Sequence, residues 1–76
     1  MYKINPQHLE KFSFHHYGYH YQLDKGVLLT FDDKTLEFIG VNYYFLPKSF
    51  DYYERKAEEL LDKLYRQGIL EIEEGE

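Results

Sequence analysis

The sequence predicts an α+β domain: an antiparallel three-stranded meander, with a short fourth strand near its end, packed against one long C-terminal helix and led by a short N-terminal helical turn. Three observations carry this. Residues 49–68 repeat their apolar side chains with the period of a helix, and residues 14–23 repeat theirs with a period of two. Between these stretches, Asp24-Lys25-Gly26 and Asp32-Asp33-Lys34 have the composition of tight turns.

On a helical wheel Phe50, Tyr53, Ala57, Leu60, Leu61 and Leu64 fall within one arc of roughly 100°, the width of a core-facing stripe. Ser49 or Asp51 can accept hydrogen bonds from the free amides of the first turn, and Asp51 with Glu54 has the capping-box spacing. Pro47 disfavours an earlier start. At the other end Arg66 suits the negative end of the helix dipole, and Gly68 can take the left-handed conformation that stops a helix.

The polar side of this helix is divided. Asp51, Glu54, Glu58 and Asp62 line one flank, while Arg55, Lys56, Lys63 and Arg66 lie further round with Glu59 among them. Glu54, Glu58 and Asp62 make two like-charge i,i+4 pairs at about 0.2–0.5 kcal/mol each, offset by Asp51 with Arg55, Glu59 with Lys63 and Asp62 with Arg66. The plain reading is a solvated face. The sharper one is an acidic ridge for a basic protein partner, with Tyr52, which the wheel sets opposite the buried stripe, as an aromatic anchor. Asp51, Tyr52, Glu54, Glu58 and Asp62 are thus the candidate partner-binding residues.

Taken in order, Met1 to Ile4 read as an extended lead-in, and Asn5-Pro6 as an N-cap followed by the proline favoured at the first helical position. A helical turn follows to about Lys11, with Leu9 and Phe12 on one face as a lid over one end of the core. Residues 14–23 form a strand in which Tyr17, Tyr19, Tyr21 and Leu23 share a face. Residues 27–31 pair back on it as a hairpin. Residues 35–45 form the longest strand, with Leu36, Phe38 and Tyr44 on one face and Ile39, Val41, Tyr43 and Phe45 on the other. Residues 69–73 form a short fourth strand or an extended tail laid on the sheet, and the closing residues Glu73, Glu74, Gly75 and Glu76 fray.

Seventy-six residues hold one domain, which buries only about 60–65% of the surface its unfolded chain exposes. Without cysteine there are no disulfides, thiolate metal sites or thiol chemistry, which fits a reducing cytoplasm. No long apolar run marks a signal peptide or a membrane span. A net charge of −5 opposes non-specific attraction to nucleic acid and suits a basic partner. Nine tyrosines and six phenylalanines are a large aromatic share, enough for a few rings to do the work of many aliphatic side chains. A sheet with one long helix also leaves its second face open, either covered by the N-terminal turn and long polar stems or used for two-fold self-association.

Catalytic chemistry has little to start from. His15 and His16 point to opposite faces of a strand, and His16 and His20 stand about 13 Å apart in one, so with His8 they match no metal-ligand spacing. Ser13 beside His15 and His16 lacks a glycine-rich oxyanion loop, Ser49 is better used as a cap, and Asp32 and Asp33 are ordinary turn acids. The expectation is a non-enzymatic protein with no metal and no cofactor. Tyr17, Tyr19, Tyr21, Tyr43 and Tyr44 could stack single-stranded nucleic acid, but Lys25, Lys34 and Lys48 are too few for the positive groove such platforms need. An acidic surface imitating phosphate is the other nucleic-acid reading.

The run Pro6-Gln7-His8-Leu9-Glu10-Lys11-Phe12-Ser13-Phe14, the tyrosine strand, and the closing Leu64-Tyr65-Arg66-Gln67-Gly68-Ile69-Leu70-Glu71 resemble small proteins of phages and mobile elements of Gram-positive bacteria. The resemblance spans most of the chain and brings no catalytic residues with it. It implies a bacterial cytoplasm and binding to a host or phage protein.

Overall fold

Two dipeptides ending in glycine fold the middle of the chain back on itself. Tyr17 and Gly18 have φ of 46° and 87°, and Lys25 and Gly26 have φ of 50° and 87°, the paired left-handed conformation of a two-residue hairpin turn. A computed structural model describes residues 1–43 and 48–73. Its elements are β1 (Tyr2–Ile4), a 3-10 turn (Pro6–Lys11), β2 (Phe14–His16), β3 (Tyr19–Asp24), β4 (Val27–Asp32), β5 (Phe38–Tyr43), α1 (Phe50–Arg66) and β6 (Leu70–Ile72). Strands β2, β3, β4 and β5 form one antiparallel sheet in that order, and β1 pairs with β6 in a second. The architecture is α+β with one long helix.

The main sheet therefore has four strands where three were expected. The stretch read as a single strand from Phe14 to Leu23 turns back at Tyr17-Gly18, pairing Phe14 with Tyr21, His15 with His20 and His16 with Tyr19. The turn shifts the alternation by one residue: Tyr17, expected on the face of Tyr19, Tyr21 and Leu23, sits in the turn, and Phe14 and His16 share that face instead.

The N-terminal lead-in is itself a strand. β1 pairs Tyr2 with Ile72, Lys3 with Glu71 and Ile4 with Leu70, so the fourth short strand completes a ribbon with the N-terminus rather than lying on the main sheet. The Ile4 N–H donates to the Leu36 carbonyl at 2.8 Å and the Asn5 N–H to the Ile69 carbonyl at 2.9 Å, tying this ribbon to both the sheet and the helix exit. Asn5 also caps the 3-10 turn, its side-chain oxygen accepting from the Gln7 N–H at 3.1 Å.

β5 begins at Phe38, later than expected, because the turn before it is longer. The Asp32 carboxylate accepts from the N–H groups of Lys34 and Thr35 at 2.7 and 3.0 Å, and Leu36 has φ of 65°. Hydrogen bonds from Thr35 and then Lys34 hold the Asp32 carboxyl below its ordinary range. A bulge follows: Thr30 faces Gly40 and Phe31 faces Phe38, leaving Ile39 as the extra residue. It reverses the alternation read from the sequence. Leu36, Phe38, Val41 and Tyr43 all pack on the core, whereas Ile39, expected beside Val41 and Tyr43, is exposed. Tyr44, Phe45, Pro47 and the closing Glu74 to Glu76 lie outside the described residues.

Helix α1 is capped by Ser49 rather than Asp51, the Ser49 Oγ accepting from the Tyr52 N–H at 3.1 Å. Gly68 ends it at φ of 80°. Tyr53, Ala57, Leu60, Leu61 and Leu64 are buried together with Val27, Leu29 and Phe31 of β4 and with Ile4, Ile69 and Leu70. Phe50, placed in the same stripe by its position, is exposed in the first turn and meets the edge of Tyr43 at 5.1 Å between ring centroids. Leu9 and Phe12 of the N-terminal turn pack on this core, with Phe12 edge-on to Phe31 at 5.2 Å.

Candidate functional site

Helix α1 covers the face of β4 that carries Val27, Leu29 and Phe31, so the strand register puts a different set of side chains on the opposite face. One row crosses the sheet as Phe14, Tyr21, Thr30 and Gly40; beside it run Leu23, Leu28 and Asn42 on one side, and His16, Tyr19 and Asp32 on the other. Leu28, in the central strand, is buried between its neighbours, but Phe14 is 45% exposed, Leu23 48% and Ile39 54%. None of these exposed side chains is covered by the described residues.

The face has relief as well as apolar area. Phe14 and Tyr21 stack at 4.9 Å between centroids with 25° between their planes, and Tyr19 tilts against Tyr21 at 6.2 Å. Beside this wall of rings, Thr30 and Gly40 are small, and a Cβ added at Gly40 would meet nothing within 4 Å. The wall and the step lie on adjacent strands. Sequence reading found the tyrosines but not the Phe14–Tyr21 pair or Ile39, because the pair needs the turn at Tyr17-Gly18 and Ile39 needs the bulge.

The residues singled out on the helix separate into two groups. Asp51, Glu54 and Glu58 are exposed on the acidic flank, and Asp62 pairs with Arg66 at 2.9 Å. Burial first, then the charges of Glu54 and Glu58, raise the Tyr43 hydroxyl above its ordinary value, which sets this flank toward β5. Tyr52 is not among them. It is half-buried, edge-on to Tyr53 at 5.1 Å, with the ammonium groups of Lys48 and Lys56 at 5.1 and 5.5 Å from its ring centroid. Glu59 pairs with Lys56 at 3.6 Å rather than with Lys63.

No family model, curated protein or solved structure matches this chain.

The histidines are placed otherwise than a single strand would place them. The hairpin stacks His15 on His20 at 4.4 Å, and His15 Nε2 lies 3.0 Å from Asp33 Oδ2. Among the described residues no group of three or more His, Cys, Asp or Glu side chains is arranged to hold a metal ion. Burial, and then the neighbouring His15, push His20 below its ordinary value of 6.5, with Asp33 opposing. Such a group binds fewer protons in the native than in the unfolded chain, so stability is lost as pH falls from 6.5 through the lower folded value. Thermal midpoints measured from about pH 8 down to about pH 5 are expected to fall in that window, and to fall less in His20→Gln.

Proposed function

We propose that this protein is a non-enzymatic interaction module, and that the sheet face opposite the helix docks on the same face of a second copy. The observation that carries this reading is the uncovered row from Phe14 through Tyr21 to Gly40, flanked by Leu23 and Ile39. Under a two-fold axis, the ring wall of one copy lies over the Thr30 and Gly40 step of the other, the self-complementarity that an isologous contact requires. Among the described residues of strands β2 to β5 the register places no lysine or arginine on this face, which disfavours a stacking platform for single-stranded nucleic acid.

Glu54 and Glu58 lie on the helix side and have no ion-pair partner among the described residues, which leaves them available to a basic protein while the sheet faces are joined. The cysteine-free composition and the resemblance to phage and mobile-element proteins support a bacterial cytoplasm as the setting.

Size-exclusion chromatography with light scattering is expected to show a dimer that Tyr19→Glu with Leu23→Lys converts to a monomer of unchanged circular dichroism. A wild-type chain that stays monomeric at high concentration would refute the self-docking reading.

A further inference from the structure

The uncovered face carries rings along its middle and polar groups at one end. Across that end the register sets His16, Tyr19 and Asp32 side by side on β2, β3 and β4. Glu37 completes the row. The Asp32 N–H donates to its carbonyl at 2.9 Å, and because Leu36 and Phe38 on either side of it pack on the core, its side chain falls on the open face. His16 is exposed, with the Tyr17 ring at 4.1 Å, and neither it nor Glu37 has an ion-pair partner among the described residues.

Two copies lie face to face about a two-fold axis that runs either across the strands or along them. An axis across the strands sets Tyr21 on Tyr21 and the Asp32 carboxylate on Leu28 of the second copy. An axis along the strands, between β3 and β4, sets β2 over β5 and β3 over β4, row on row. Phe14 then lies over Gly40, Leu23 over Leu28, Tyr19 over Asp32 and His16 over Glu37. Tall side chains meet short ones, apolar meets apolar, and donor meets acceptor.

We infer that the self-docked pair forms about the axis along the strands, with His16 of each copy against Glu37 of the other, so that association tightens on acidification. The inference rests on the self-docking reading. Histidine gains its proton between about pH 8 and about pH 5, which turns a neutral ring facing a carboxylate into a cation facing one. The other charged groups around the row are engaged elsewhere. The Asp32 carboxylate accepts from the Lys34 and Thr35 N–H groups, and Lys3, across from Glu37, sends its ammonium to Glu73 at 3.5 Å. His15 and His20 stack on the helix side of the sheet, with Asp33 on His15.

Sedimentation equilibrium of the full chain at about pH 8 and about pH 6, at one ionic strength, tests the pairing. From the higher to the lower pH the wild-type dimer is expected to tighten roughly fivefold more than that of His16→Gln, since the symmetric contact makes the pair twice. At the lower pH Glu37→Gln should weaken the dimer, although removing an acid from a chain of net charge −5 relieves repulsion between copies and would otherwise tighten it. His16→Gln combined with Glu37→Gln should weaken it no further than either alone. A dimer with the same pH response in wild type and His16→Gln, or one that Glu37→Gln tightens at the lower pH, overturns the pairing and leaves self-docking standing. A chain monomeric at both pH values overturns the two together. Should Glu37→Gln lose its native circular dichroism, the comparison of wild type with His16→Gln decides.

Discussion

Replacing Phe31 with alanine is expected to lower the free energy of unfolding by about 3–5 kcal/mol, a large share of the roughly 4–11 kcal/mol available to a chain of this size. Phe31 is fully buried in the central strand, with Phe12 edge-on at 5.2 Å and Phe38 at 5.5 Å. Its ring joins the N-terminal lid, the bulged strand and the helix-covered core, and removing it leaves a cavity that three elements would have to move to fill. Urea denaturation followed by circular dichroism measures the loss. Phe14→Ala, compared on the monomeric Tyr19→Glu, Leu23→Lys background, is the matched control: its ring lies on the uncovered face at 45% exposure, and the expected change is under about 1 kcal/mol. Equal losses at the two positions would mean that the helix does not distinguish the faces of the sheet.

Ile4→Ala is expected to cost about 2–5 kcal/mol, more than a residue near a chain end usually commands. Ile4 is fully buried, faces Leu70 across the β1–β6 ribbon, and sends its N–H to the Leu36 carbonyl at 2.8 Å. Its removal loosens both termini at once. Hydrogen exchange should accelerate together at the amides of Ile4, Asn5 and Glu73, the last of which donates to the Met1 carbonyl at 2.8 Å. If the first residues were only an extended lead-in, the substitution would cost no more than about 0.5 kcal/mol and leave exchange at Glu73 unchanged.

What could be read from the chain, and what could not, divides by distance along it. The main helix was legible because its apolar period, its serine cap and its terminating glycine all act within a few residues. The Lys25-Gly26 hairpin was legible for the same reason. Tyr17-Gly18 carries the same kind of signal, glycine after a residue at positive φ, but it is embedded in a run that alternates without a break in the sequence, while the turn moves Phe14 and His16 onto the face of Tyr19 and Tyr21. The period therefore concealed the fold-back that brings Phe14 to Tyr21 and His15 to His20.

The uncovered face was legible only in outline. That one long helix leaves a sheet half-covered follows from element count, but which side chains stand there depends on register. A single extra residue at Ile39 exchanged the faces of the β5 side chains before it, and the only local mark of it is the glycine that follows, Gly40. The cleft between the β3–β4 turn and the helix was less legible still, since the residues that line it, Asp24 and Lys25 on one side and Lys56, Glu59 and Lys63 on the other, are far apart in the chain.

Composition and local periodicity were thus enough for an aromatic-rich, acidic α+β chain, for its long helix with both ends, and for one hairpin. Packing alone chose the partner of the N-terminal strand, the tyrosine side of the sheet as the open side, and the two elements that line the cleft beside the helix. The reason is that caps, turns and amphipathic stripes are short-range free energies written in neighbouring residues, whereas strand partners and bulge positions are settled by which apolar surfaces, distant in sequence, bury one another best.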